Sequence, residues 1–208
     1  SPSNANELQR ILSKYPERVQ VLPLGMEDQS TIDALEIKIA QTCRRVDALF
    51  NVAGILGDGG MATPGPEGSV VSIDRDWLKK SLAVNIIGPV MLTKALSPLM
   101  RVSRRRARVG SMSDNRLGGW YSYRMSKSAL NQATKTLGLE LKRQGTWILA
   151  LHSGTTDTDL SKPFQKNVQK EKLFPVEFTV NSLLDVVKSI NAEHTGGFYD
   201  WAGKAIPY

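Results

Sequence analysis

Two tyrosines and one lysine stand within seven residues, Tyr121-Ser-Tyr-Arg-Met-Ser-Lys127. On a helix, side chains three or four positions apart share a face. Tyr123 lies four residues before Lys127, whereas Tyr121 meets Arg124 and Met125 at those spacings. A phenol ordinarily holds its proton up to about pH 10. An ammonium beside it favours the phenolate and brings proton exchange within reach of neutral pH. Tyr123 and Lys127 are therefore a candidate acid–base couple, although the same spacing also occurs on ordinary helix surfaces.

Such a couple needs a helix that faces a cleft, and the pattern along the chain supplies one. Residues 4–15 carry apolar Leu8, Ile11 and Leu12 at helical spacing. Val19–Leu24 is a short apolar run before Gly25, read as a strand. Residues 28–43 open on an Asp or Ser suited to an N-cap and space Ile32, Leu35 and Ile39 on one face. Val46–Gly54 reads as a second strand. A glycine- and proline-rich loop, 57–68, leads to a long helical pattern over 76–100, with a kink or break expected at Gly88-Pro89. A further helix spans 119–145, ending at Gly145. Then come a strand in 146–154, a helix over 179–192 and a last strand in 196–203. The strands are apolar throughout rather than alternating, which is the mark of a parallel sheet covered on both faces. Ligands bind such sheets beyond the carboxyl ends of the strands. Those ends read Leu-Gly-Met, Asn-Val-Ala-Gly and His-Ser-Gly.

Composition narrows the class. A chain of 208 residues, 41% hydrophobic and 23% charged, is enough for one globular domain with a real core. It contains no unbroken apolar stretch of membrane-spanning length, so no membrane partner is expected. The lone Cys43 excludes an internal disulfide and a cysteine-built metal site, and His152 and His194 are read as surface imidazoles, so no metal is expected. These features fit a reducing, cytoplasmic compartment. Much of the net charge of +7 sits in residues 101–110, which hold five arginines without interleaved aromatics. A solvated basic loop is the reading there, with no nucleic-acid partner. The alternation nevertheless calls for a strand at that point, and unpaired arginines cannot be buried on both faces of a sheet.

Five features together resemble the short-chain dehydrogenase/reductase family. Tyr123-Arg-Met-Ser-Lys127 matches its Y-x-x-x-K signature, and Ser111, twelve residues upstream of the tyrosine, matches its serine, with Ser113 in reserve. Asn51-Val-Ala-Gly54 looks like its N-[NVC]-A-G turn, and Asn85 like its helix asparagine. Ser153-Gly-Thr-Thr-Asp-Thr158 resembles the P-G-x-V-x-T turn, with serine in place of proline. The wording of residues 110–131 is closest to the subgroup of C-factor and Sniffer-like carbonyl reductases.

The resemblance implies a three-layer Rossmann-type α/β fold and an NAD(P)-dependent oxidoreductase, with NADP somewhat preferred. The small-molecule substrate would be a carbonyl or secondary alcohol. Tyr123 would be the general acid/base, and Lys127 would hold the nicotinamide ribose. Ser111 would hydrogen-bond the substrate oxygen, and Asn85 would hold a relay water. The cofactor-binding set would be Asn51, Ala53, Gly54, Tyr123, Lys127, Gly154, Thr156 and Thr158. A homodimer or homotetramer is also implied. A glycine-rich phosphate turn of the family's kind does not occur in the sequence, and Gly25 stands where an acidic residue is common. Two expectations follow: a single domain over 1–208 that is N-terminally incomplete, its sheet lacking the first strands; or a truncated, non-catalytic relative that acts through protein contacts.

Overall fold

The computed structural model describes residues 5–57, 67–100 and 119–208. Asp28, rather than Ser30, caps the helix α2 (Gln29–Thr42): its carboxylate accepts the Ser30 N–H at 2.9 Å. The Ser30 hydroxyl also donates to it, and these bonds hold the Asp28 carboxyl below its ordinary range. Ile32 is the buried anchor of α2, with Leu35 and Ile39 beside it against Leu92, Leu96 and Met100. By contrast α1 (Asn6–Lys14) buries none of its residues, so its apolar stripe stays largely in solvent.

The expected break at Gly88-Pro89 takes a specific form. Helix α3 (Arg75–Leu82) runs into one π-helical turn, Ala83–Ile87, and then α4 (Gly88–Leu96). Pro89 has no N–H to donate, and its ring would strike the carbonyl four residues back, at Asn85. Widening the turn avoids the clash, and Gly88 N–H reaches back five residues to Ala83 O. By length and composition, residues Arg75–Leu99 would also suit a membrane span. In this structure Ser81, Asn85 and Thr93 of that stretch are buried.

Gly88 must lack a side chain. A Cβ there would lie 2.5 Å from the Met26 carbonyl oxygen and 2.7 Å from the Met26 Cβ. Gly88→Ala should therefore push α4 off the 25–26 turn and cost about 1–3 kcal/mol. Thermal melting reads this directly, at roughly 2–4 °C per kcal/mol for a chain of this size. An unchanged Tm would mean the contact yields without strain.

The C-terminal half is a parallel α/β unit. Strand β1 (Ala150–His152) pairs with β4 (Phe198–Asp200), with Ala150 opposite Phe198. The helix α6 (Val176–Ser189) lies between them in sequence. Leu149 and Leu151 of the β1 segment pack on Val186, Val187 and Ile190. A second parallel pair joins β2 (Thr155–Thr156) to β3 (Leu173–Phe174). Helix α5 (Tyr121–Leu141) ends through a 3₁₀ turn at Gly145, whose φ of 81° is the left-handed cap expected of it.

Two strand expectations are corrected. Neither 19–24 nor 46–54 belongs to a ladder among the described residues. Apolar runs specify burial, but a strand exists only as a partner's neighbour, about 4.8 Å away. Leu24, Phe50 and Val52 are exposed instead, Val52 at 69%. The strand expected within 101–110 lies outside the described residues.

Candidate active site

Asn85 sits in the π turn and is fully buried, at 0% exposure. Its side chain works as a splint between two parts of the chain. Oδ1 accepts the Ile55 N–H at 2.8 Å, and Nδ2 donates to the Ile55 carbonyl at 2.9 Å. Nδ2 also reaches Ser126 Oγ at 3.1 Å and, more weakly, Ser81 Oγ at 3.3 Å. Ile55 directly follows the Asn51-Val-Ala-Gly54 turn, so that turn is pinned to the helix carrying Asn85. Ser126 Oγ in turn donates to the Tyr123 carbonyl at 2.8 Å, tying α5 to the same point. The side-chain amide is thus committed to Ile55, Ser126 and Ser81.

On α5 the expected helical register holds. Lys127 is 3% exposed, with its Nζ 5.3 Å from the centroid of the Tyr123 ring. Burying an ammonium is costly. The ring face of a half-buried tyrosine offsets part of that by cation–π attraction. Tyr123 also meets Trp120 edge-on, with centroids 6.1 Å apart, and Trp120 meets Phe164 at 4.9 Å. Trp120 has φ 57° and follows Gly119 at φ 66°. A left-handed non-glycine residue costs about 1–2 kcal/mol, and such strain persists where the surroundings over-determine it.

The remaining expected residues are less tightly joined. Asn51 donates to Thr93 Oγ1 at 3.4 Å, while its Oδ1 is buried with no hydrogen-bond partner among the described residues. Ala53 is exposed and Gly54 half-buried. Gly154 has φ 67°, and a Cβ there would lie 2.6 Å from the Phe174 ring, so only glycine fits. Thr156 Oγ1 shares a hydrogen bond with Thr179 Oγ1 at 3.0 Å, and the exposed Thr158 lies beyond it. Among the described aromatic contacts, Phe164 links the segment after Thr158 to α5. Ser111 and Ser113 lie outside the described residues. Ser126, Ser122 and Glu67 were not singled out by sequence, although Ser122 and Ser126 stand four apart on one face, as do Ser81 and Asn85.

A family model described as enoyl-(acyl carrier protein) reductase matches residues 1–183. The C-signal protein of Myxococcus xanthus is 31% identical over 169 residues, which is 78% of this chain and 93% of that protein. A 1-hydroxy-2-glutathionyl-2-methyl-3-butene dehydrogenase of Rhodococcus sp. (strain AD45) is 34% identical over 145 residues, 68% of this chain and 60% of that protein. In three dimensions the chain superposes on an NADPH-bound carbonyl reductase from chicken fatty liver. The TM-score is 0.86 at 23% identity, over 100% of this chain and 85% of that one.

Proposed function

The chain belongs to the short-chain dehydrogenase/reductase family, a family of oxidoreductases, and on that premise we propose that it interconverts a carbonyl and a secondary alcohol, with Tyr123 as the general acid/base. The observation that carries this reading is the buried Lys127 ammonium on the Tyr123 ring, on a helix splinted through Ser126 and Asn85 to the Asn51–Gly54 turn.

The residues present fit the nicotinamide half of an NAD(P) cofactor. The buried Asn51 Oδ1 lacks a partner among the described residues and is a polar atom that a bound group would satisfy. Asn51, Ala53 and Gly54 would line one side, and Gly154, Thr156 and Thr158 the other. Tyr123 and Lys127 would hold the ribose hydroxyls. The cofactor supplies the hydride. Tyr123 gives its phenolic proton to the substrate oxygen as the carbonyl carbon is reduced, and takes a proton back in the oxidation. Lys127 stabilises the phenolate left behind by Coulomb attraction. Ser111 donates a hydrogen bond to the developing alkoxide. NADPH is the first choice of cofactor, because the carbonyl reductase of chicken fatty liver holds it on a similar fold.

Titration with NADPH and with NADH, followed by nicotinamide fluorescence, tests the proposal before any substrate is chosen. Micromolar binding followed by turnover of a carbonyl panel is the expected result. Lys127→Met should weaken binding by on the order of 10–100-fold, the value of hydrogen bonds from a charged donor. Absence of binding by either nucleotide would favour a non-catalytic relative that acts through protein contacts.

A further inference from the structure

Glu67 is only 5% exposed, and the reaction proposed above does not use it. A carboxylate taken out of water must find partners. One of its oxygens accepts the hydroxyl proton of Ser122, itself fully buried in the first turn of α5. The other has no hydrogen-bond partner among the described residues. The Glu67 backbone carbonyl accepts the Trp120 N–H at 2.6 Å. That same carbonyl oxygen lies 3.3 Å from where a Cβ on Gly119 would stand. Two of the four residues leading to Tyr123, Trp120 and Ser122, are thus bonded to one glutamate fifty-odd positions away.

Two further features make this arrangement more than a surface bond. Helix α5 has no side-chain cap of its own, and it is entered through two consecutive left-handed residues. An unsatisfied helix N-terminus carries partial positive charge, which favours a carboxylate beside it. Trp120 is held on its other sides by Tyr123, Phe164 and the Arg124 guanidinium, 5.9 Å over its ring.

We infer that Glu67 is a positioning residue that clamps the first turn of α5 through Ser122 and Trp120 and so sets where Tyr123 stands. The clamp rests on the reading of Tyr123 as the acid/base only for its effect on rate. A reacting group displaced by about 1 Å can lose on the order of 100-fold in rate.

Hydrogen exchange and steady-state kinetics on Glu67→Ala, Glu67→Gln and Ser122→Ala decide it. In Glu67→Ala, amides of the 119–127 segment should exchange about 10-fold faster or more, while those of α6 keep their protection. Turnover should fall about 10–100-fold, and cofactor affinity by less. Ser122→Ala should reproduce both effects, and the double variant should add little. Glu67→Gln retains an oxygen for the Ser122 hydroxyl and should restore most of the protection and rate. Equal acceleration of exchange in α6 would make Glu67 a general stabiliser and overturn the clamp. So would unaltered exchange at 119–127, or faster exchange there with full turnover. If the unaltered protein reduces no carbonyl, the tyrosine chemistry fails, and the exchange data still settle the clamp.

Discussion

Tyr123→Phe is expected to lower carbonyl turnover by about 10²–10⁴-fold, the range that a positioned general acid contributes. The substitution removes one oxygen and leaves the ring. The edge-on contact with Trp120 and the Lys127 ammonium on the ring face depend on that ring. Folding should accordingly change little, cofactor affinity should fall only by the one ribose hydrogen bond that the hydroxyl makes, and the main loss should fall on kcat. Comparing kcat and KM over a carbonyl panel, with nucleotide binding measured separately, isolates the missing proton donor. Equal turnover by the two proteins would remove Tyr123 from the chemistry, whatever its geometry.

The second large effect is expected at Asn85. Asn85→Leu has nearly the same shape but strips partners from the Ile55 N–H and the Ile55 carbonyl and cuts the link to Ser126, whose hydroxyl keeps its bond to the Tyr123 carbonyl. Each polar group left buried without a partner costs about 1–3 kcal/mol. A total of about 2–5 kcal/mol is a large share of the 5–15 kcal/mol that holds a typical domain together. Thermal melting should show it. Asn85→Asp keeps the acceptor for Ile55 N–H but sets a carboxylate oxygen against the Ile55 carbonyl, so it should rescue little. Because the lost bonds join the Asn51–Gly54 turn to α5, cofactor binding should weaken with stability. A Tm equal to that of the unaltered protein would show that the splint is not needed.

Much of the helical framework is legible in the residues. Asp28 announces the start of α2, and Gly145 the end of the α5 region, because caps and left-handed turns are decided by a few neighbouring atoms. Gly88-Pro89 announces a fault in a long helix, although that the fault is a π turn follows from the need to clear the Asn85 carbonyl. The short strands are less legible. Val19–Leu24 and Val46–Gly54 have the composition of buried strands, yet among the described residues the parallel ladders join β1 to β4 and β2 to β3 instead. Strand character in a parallel sheet depends on what lies alongside, and that is not written in the strand itself.

By itself the sequence determined that Tyr123 and Lys127 share a face, since the helical period is set by hydrogen bonds only four residues long. It also carried the motifs that mark the family. Only the tertiary structure decided that Asn85 is spent on Ile55 and Ser126, and that Glu67 is buried against Ser122. Those pairs are separated by 30, 41 and 55 residues. Contacts at that range form because burial leaves a polar group no water to turn to, and which partner it meets is fixed by how the helices pack.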